Sequence, residues 1–167
     1  VELMKTPLEP NFWRAPVDND NGNGMKMRDT FWKVASMYKR CEFVGARMED
    51  GCAIVEYTYS FPMKEEVKVS LTYKAHGDGK IEVKLSYDGY EGLPEIPEFG
   101  VITKLTPVLD TQTWYGRGPA ENYCDRNNGY KLGIYSADVA DSLSPYVNPQ
   151  ECANHTKIRY TKVTDKS

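Results

Sequence analysis

The sequence predicts an all-β fold, an antiparallel β-sandwich that carries a single helix. Between residues 40 and 115, apolar and polar residues alternate with a period of two, which is typical of strands with one wet face and one dry face. Glu49–Gly51 and Gly77–Gly79 interrupt this alternation as hairpin turns do. We assign residues 1–167 to a single domain, because a chain of 167 residues is long enough for one domain and short for two.

The predicted elements follow this change of period. Prolines near the N-terminus and the polar run Asp18–Gly24 predict extended chain and then a loop. Apolar residues spaced by three and four, from Met27 to Tyr38, predict one amphipathic helix over residues 25–38. The predicted strands are Ala53–Phe61, Glu66–Lys74, Lys80–Tyr87, Gly100–Leu109, Thr111–Tyr115, Lys131–Tyr135 and Thr156–Thr164.

Charge and cysteine usage exclude several classes of protein. A net charge of −3 argues against a nucleic-acid binder, and no apolar run approaches the roughly 20 residues of a membrane span. The four cysteines are Cys41, Cys52, Cys124 and Cys152. They form no C-x-x-C pair and have no histidine close by in sequence, so we expect no zinc site. Free buried thiols are the favoured interpretation, and a Cys41–Cys52 disulfide across a hairpin is the alternative.

Asp18–Gly24 is an Asx-rich turn in this interpretation. As a calcium loop it fails, because Gly22, Asn23 and Asp29 occupy positions where an EF-hand needs an oxygen ligand, a glycine and a glutamate. Asp18 and Asp20 lie two positions apart on one loop, which does not suit a glycosidase carboxylate pair. We identify no metal site and no catalytic residue.

The two histidines are expected to be structural. His76 lies in a predicted turn and is expected to be exposed, and His155 lies in a polar stretch before the last strand. A mutarotase-like isomerase would need a histidine and a carboxylate converging in one cleft.

The segment Trp114–Arg126 is the most distinctive part of the chain. Gly116 and Gly118 predict backbone angles closed to other residues, and Pro119 fixes its own φ. The charged side chains of this motif loop are Arg117, Glu121, Asp125 and Arg126. We expect these charges to pair and to pin the loop. The alternative is a sugar-binding loop, with ring faces from Trp114, Tyr115 or Tyr123 and hydroxyl contacts from Glu121 and Asn122.

The motif loop, written W-Y-G-R-G-P-x-E-N-Y-x-D-R, closely resembles a signature of bacterial β-galactosidases of glycoside hydrolase family 2. It occurs in their C-terminal domain, called the small chain or domain five. Two further blocks follow the order found in that family. The first is Phe12–Asp20 with Gly22, which precedes the tryptophan-bearing helix, and the other is called the second motif. The second motif comprises Tyr146, Gln150, Glu151 and Arg159. The match runs from about Asn11 to Tyr160, and it identifies the chain as the N-terminal part of that domain.

This resemblance implies a large supersandwich similar to galactose mutarotase. It places the catalytic glutamates and any divalent metal in a separate barrel domain, so this chain is expected to hold no cofactor and to be inactive alone. The parent enzyme would hydrolyse terminal β-galactosides with retention. The resemblance also places the loop with Asp18, Asn19, Asp20 and Gly22 near the mouth of the active site. Cys152–His155 departs from the Asn-Gly-Asn-Arg common in the family.

The expected partner is therefore the barrel domain, with galactoside contacted only indirectly and no nucleic-acid or membrane partner. A stand-alone galactoside-binding module is the alternative. The predicted strand Thr156–Thr164 would lack a neighbour in a truncated sandwich, which predicts a homodimer or aggregation through strand edges. The bacterial cytoplasm and the periplasm both remain open as compartments.

Overall fold

The computed structural model describes residues 2–63 and 67–166, and the chain forms two compact units. The hairpin unit comprises Leu8–Arg14 and Asn19–Ile102. The motif unit comprises the N-terminal residues to Pro7, Ala15–Asp18 and the residues from Thr103 onward. That both units belong to one domain stays a prediction.

The hairpin unit is built around a four-stranded antiparallel sheet of order β2-β3-β4-β5, and β1 pairs with β6 separately. Its strands are β1 Glu9–Asn11, β2 Arg40–Glu49, β3 Cys52–Phe61, β4 Val67–Ala75, β5 Ile81–Ser86 and β6 Gly100–Ile102. Asp50 and Gly51 join β2 to β3 with φ values of 51° and 74°. Positive φ at both central residues is the hairpin geometry that suits strand twist, so the Asp-Gly pair fixes the register here.

The core of the hairpin unit lies on one face of this sheet. Val67, Val69 and Leu71 alternate along β4 with exposed residues and are all buried. Phe12 packs against this core, and its ring centroid lies 5.5 Å from that of Trp32 and 4.9 Å from that of Phe61. Edge-to-face packing of this kind adds to the burial of apolar area.

The predicted helix over residues 25–38 is wrong as a single element. Between Asp18 and Met37 the structure has three short helices, α1 Asp18–Gly22, α2 Met25–Arg28 and α3 Thr30–Met37. Asp29 interrupts the predicted helix with φ −116° and ψ 3°, and its buried carboxylate pairs with Arg28 at 3.0 Å. A side chain that bonds locally favours a helix boundary over a helix interior.

The loop predicted over Asp18–Gly24 is likewise wrong, because α1 occupies most of it. Asp, Asn and Gly have poor helix propensities, so local preference alone argues against a helix. A side-chain contact from just before the helix opposes this preference, because the buried Asp20 carboxylate bonds to Arg14, six positions earlier in the sequence. Gly24, with φ 80°, then separates α1 from α2.

The motif unit contains a three-stranded antiparallel sheet of order β8-β7-β9. Its strands are β7 Thr111–Gly118, β8 Lys131–Asp138 and β9 Tyr160–Thr164, and a 3₁₀ helix, Val139–Ser142, follows β8. In the described part of the chain, β9 is an end strand of this sheet, as predicted for the last strand.

Several strand boundaries differ from prediction. The predicted Thr156–Thr164 strand begins only at Tyr160, because Lys157 has a positive φ of 57°. The predicted Gly100–Leu109 strand ends at Ile102, and beyond it Leu105 forms a bridge with Met4. Glu66, the predicted start of β4, lies outside the described residues.

Mostly antiparallel strands with few short helices confirm the predicted all-β class, and they are consistent with the predicted sandwich. Within the described residues, we find no helix with the length and apolarity needed to cross a bilayer.

Candidate functional site

The motif loop begins inside β7, where two glycines permit close packing. A Cβ on Gly118 would lie 2.7 Å from a ring carbon of Tyr135, and one on Gly116 would lie 2.5 Å from the Ile158 side chain. Neither glycine has a positive φ, so the predicted need for unusual backbone angles is wrong. These positions require glycine because neighbouring side chains leave no room for a Cβ.

Trp114 anchors the loop from β7. Its side chain is almost fully buried, and its Nε1 donates to the Arg117 carbonyl at 3.1 Å. The His155 ring stacks on it at a centroid distance of 4.1 Å. Burial lowers the pKa of His155, against the opposing effects of the Glu121 charge and a hydrogen bond to the Arg117 main chain. His155 is therefore a neutral, packed residue at pH 7.

Asn122 joins the loop to the segment before β9. It is 0% exposed, and its Nδ2 donates to the carbonyls of Arg117 and Ala120 at 3.2 and 3.1 Å. Its Oδ1 accepts from the backbone N–H and the hydroxyl of Thr156 at 2.9 and 2.6 Å. Asn154 in turn donates to the Asn122 carbonyl at 2.7 Å. Every polar atom of this buried amide is satisfied, as a stable interior requires.

The Glu121 carboxylate accepts hydrogen bonds from both side chains and the backbone. Its Oε1 accepts from Arg126 at 2.5 Å and from the Tyr146 hydroxyl, and its Oε2 accepts from the Ala153 N–H at 2.8 Å. Burial opposes its ionisation, but hydrogen bonds from Tyr146, Ala153, Arg126 and Ser144 outweigh burial and lower its pKa. A carboxylate so well solvated by protein donors is a poor general acid.

Glu121 and Arg126 pair as expected, whereas Arg117 bonds to uncharged groups. Arg126 forms an ion pair with Glu121, and its guanidinium also lies 5.0 Å from the Tyr123 ring centroid. Arg117 instead donates to the backbone carbonyl and the side-chain oxygen of Asn127. Asp125 is exposed at the surface of the loop. The loop is held by amide and carbonyl groups as well as by charge.

Most of the residues proposed for the sugar-binding alternative are buried or already bonded to the protein. Trp114 and Tyr123 are 1% and 7% exposed, so neither ring is an open platform on which a sugar could stack. The Asn122 amide is already saturated by protein groups. Tyr115 is half-buried, with its ring centroid 6.1 Å from that of Tyr160.

The second motif holds an N-terminal segment of the same unit. Gln150 accepts from the Asp18 N–H at 3.1 Å, and Glu151 accepts from the Ala15 N–H at 3.0 Å. The Glu151 N–H donates to the Pro16 carbonyl at 3.2 Å, so Ala15–Asp18 is fixed by both side chains and main chain. Arg159 contributes through its backbone N–H, which donates to the Tyr115 carbonyl at 2.7 Å.

The four residues predicted to shape substrate access divide into two kinds. Asp18, Asn19 and Gly22 are exposed. Asp20 is buried, and its two carboxylate oxygens bond to Arg14 at 2.5 and 3.0 Å. Asp20 therefore supports α1 and is not available to a ligand, whereas the other three can face one.

A cleft of about 140 Å³ lies beside the motif loop. Trp114, Pro119, Glu121, Ser144 and His155 are among its lining residues. It brings a histidine and a carboxylate together, as an isomerase would need, but it is small beside the 300 to 1,000 Å³ typical of ligand pockets. In the described residues, no group of three His, Cys, Asp or Glu side chains could hold a metal ion.

The cysteines differ from expectation in burial and in surroundings. All four are free thiols. Only Cys52 is buried, whereas Cys41 and Cys124 are exposed. Cys41 lies opposite Tyr59 and Cys52 opposite Glu49, so the two do not face each other across the hairpin. Cys52 also has a histidine neighbour, since its Sγ lies 3.4 Å from Nδ1 of His76. His76 is mostly covered, contrary to the exposed turn residue expected.

Comparison with known proteins gives a consistent result. The family described as the β-galactosidase small chain matches residues 1–167. A β-galactosidase of Priestia megaterium is 35% identical over 165 residues, which cover 99% of this chain and 16% of that protein. A β-galactosidase of Streptococcus thermophilus is 35% identical over the same share of each chain. A β-galactosidase small subunit of Latilactobacillus sakei is 30% identical over 174 residues, covering 92% of this chain and 54% of the subunit. The chain thus spans about a sixth of the first two relatives.

Proposed function

Because the chain belongs to the β-galactosidase small chain family, we propose that it is a non-catalytic β-domain of a β-galactosidase. In this proposal it packs against the catalytic barrel of that enzyme, which hydrolyses terminal β-galactosides with retention. The barrel supplies both catalytic carboxylates and any divalent metal.

The hydrogen bonds of Glu121 support the non-catalytic part of the proposal. A retaining glycosidase needs a nucleophile and a proton donor about 5 to 5.5 Å apart, each accessible to the sugar. The Glu121 oxygens are instead occupied by Arg126, Tyr146 and Ala153. Asp20, the other buried acid of the family motifs, is committed to Arg14. Both acids serve the fold.

The segment Ala15–Asp18 supports a role at the mouth of the active site. Gln150 and Glu151 hold its backbone N–H groups, so it is presented as a rigid element. A rigid segment can define the outline of a neighbouring site at little entropic cost. We expect Gln150→Ala to raise the KM for lactose more than it lowers kcat, with Asn148→Ala, an exposed residue of the same loop, as the matched control.

A chromogenic galactoside assay on the chain and on the catalytic part of its enzyme tests the whole proposal. The chain alone should give no turnover, and it should bind the catalytic part in sedimentation experiments. Turnover by the chain alone that Glu121→Gln abolishes would overturn the proposal. Titration with galactose distinguishes a stand-alone binding module from a domain that only packs against the barrel. A dissociation constant below about 10 mM would favour the binding module.

A mutarotase-like activity is the second candidate, since His155 and Glu121 line one cleft. Anomer exchange of galactose, followed by polarimetry with and without His155→Ala, decides it. No acceleration by the unmodified chain would exclude this activity. Association through the β9 edge also stays a prediction, and light scattering across concentrations checks it.

A further inference from the structure

Three side chains of the hairpin unit form a relay at one end of its sheet. Cys52 Sγ lies 3.4 Å from Nδ1 of His76, and Nε2 of the same ring lies 2.9 Å from Oε1 of Glu82. Cys52 opens β3, His76 directly follows β4, and Glu82 is the second residue of β5. The Ala53–Ala75 and Ala75–Ile81 register pairs bring these three positions together.

Glu82 orients the imidazole. Hydrogen bonds from Lys80 and then from His76 lower the pKa of Glu82, so its carboxylate is charged. A charged carboxylate accepts, and the His76 Nε2 therefore carries a proton and donates it. The Nδ1 lone pair is then directed at Cys52, which is the arrangement that lets an imidazole take a proton from a thiol.

The charged groups around this relay are few and close. Lys80 Nζ lies 2.6 Å from the same Glu82 oxygen, and the Lys80 backbone N–H donates to Asp78 at 3.0 Å. Across β2, Glu49 is the register partner of Cys52 and is ion-paired with Arg47 at 3.0 Å. The Cys52 thiol can also donate to the Asp50 carbonyl at 3.8 Å, a longer contact than the one with His76. None of these groups stands between the thiol and the imidazole.

The geometry suits a reactive thiol better than a metal. Cys52 and Glu82 contact opposite nitrogens of the His76 ring, so one ion cannot bind to all three. Cys52 is buried, with 8% of its surface exposed, so a reagent that reaches its thiol must be small.

We propose that Cys52 is a modification site, a thiol activated by His76 and oriented through Glu82, which takes small soft electrophiles such as low-molecular-weight disulfides. The thiol proton passes to Nδ1 of His76, and the thiolate attacks one sulfur of the disulfide. A mixed disulfide bond forms as the original S–S bond breaks. The departing thiolate then takes the proton from the imidazolium, and the ring returns to its neutral form.

Alkylation of the unmodified chain by iodoacetamide tests the proposal. Trypsin places the four cysteines in different peptides, residues 41–47, 48–64, 118–126 and 132–157, so mass spectrometry yields a rate for each. An ordinary thiol gains about 30-fold in rate between pH 6.0 and 7.5, because its thiolate fraction rises by that factor. We expect this gain for Cys124, which is exposed. For Cys52 we expect a gain below about threefold. Since the gain is a ratio, it does not depend on how accessible the thiol is.

Two variants separate activation from simple covering. His76→Gln should slow Cys52 alkylation at pH 6.0 by about tenfold or more and restore the 30-fold gain with pH. If His76 only covers the thiol, the same change accelerates alkylation at every pH and overturns the proposal. Glu82 is exposed, so Glu82→Gln leaves the imidazole in place. It should slow the alkylation of Cys52 about threefold at pH 6.0. Glu42→Gln, also exposed on the sheet, is the control. A 30-fold gain for Cys52, or no alkylation of Cys52 below pH 8, contradicts the assignment.

Discussion

Replacing Asn122 by alanine should destabilise the motif unit more than any surface change in the same loop. The amide makes four side-chain hydrogen bonds, two as donor to the carbonyls of Arg117 and Ala120 and two as acceptor from Thr156. Alanine removes all four and leaves those buried groups without partners. The side chain is fully buried, so water cannot replace the lost bonds without opening the loop.

The expected magnitude follows from these four bonds. Each contributes a net 0.5 to 1.5 kcal/mol to the free energy of unfolding, which gives a loss of about 2 to 6 kcal/mol. The central value, about 4 kcal/mol, is a large part of the 5 to 15 kcal/mol typical of a folded domain. With a urea m value of about 2 kcal/mol per molar, the unfolding midpoint should fall by about 2 M.

Urea unfolding followed by near-ultraviolet circular dichroism is a suitable assay, because Trp114, the first residue of the motif loop, is buried and bonded to the Arg117 carbonyl. Asn128→Ala, at an exposed position two residues after the motif loop, is the control and should change the free energy by less than about 0.5 kcal/mol. Asn122→Asp is a second, more specific variant for the same assay. Aspartate keeps the shape of the asparagine side chain but places an acceptor oxygen where the amide donated to two carbonyls. At pH 7 it should therefore lower the free energy of unfolding as much as alanine does. A loss below about 1 kcal/mol for Asn122→Ala would refute the reasoning.

Three further predictions concern the same unit. Gly118→Ala should cost about 1 to 3 kcal/mol in urea, because its Cβ would meet the Tyr135 ring, whereas Gly129→Ala meets open space and should be nearly neutral. Because the pKa of Glu121 is lowered in the folded state, the stability it contributes is present above its unfolded pKa of about 4.3 and is lost as the pH falls through the folded value. The difference in urea midpoint between the unmodified chain and Glu121→Gln should therefore shrink between pH 6 and pH 3.5, and a constant difference would contradict this. The folded pKa of His155 is also lowered, by burial, so the unfolded chain takes up a proton first and stability declines as the pH falls below about 6.5. His155→Phe should remove that decline between pH 7.5 and 5.5, and an unchanged slope would show that another group causes it.

The strands of the fold could be predicted because their determinants are local. Alternation along Val67–Ala75 and the Asp50-Gly51 turn are visible in the sequence, and the structure places both as expected. The helices could not be predicted in the same way. Asp18–Gly22 becomes helical although its residues disfavour helix, because Arg14 holds Asp20. That contact spans only six positions, but it joins two particular side chains, and single-residue helix propensity contains no term for it.

The candidate site shows the same division. The Glu121–Arg126 pair lies within one loop, and the prediction that the loop charges pair includes it without naming the partners. The contacts of Cys52 with His76, or of Asn122 with Thr156, join residues 24 and 34 positions apart. Such contacts depend on which strands pair and in which register, which no single motif records. The burial of Trp114 and Tyr123 depends on the same packing, so an aromatic-rich loop could be read equally well as a surface or as a core.

The bonds between the motif loop and the segment around Asn154 and Thr156 close a loop of 32 to 34 residues without any covalent link. Closing a loop of this length limits the chain entropy of everything within it, including β8, in the folded state, whereas a crosslink would restrict the unfolded chain as well. The amide protons of Ala153 and Thr156 should therefore exchange with solvent as one cooperative group. A disulfide in this place would open under reducing conditions, whereas hydrogen bonds to a buried amide do not respond to thiol chemistry. The motif unit thus keeps its closure whether its cysteines are oxidised or reduced.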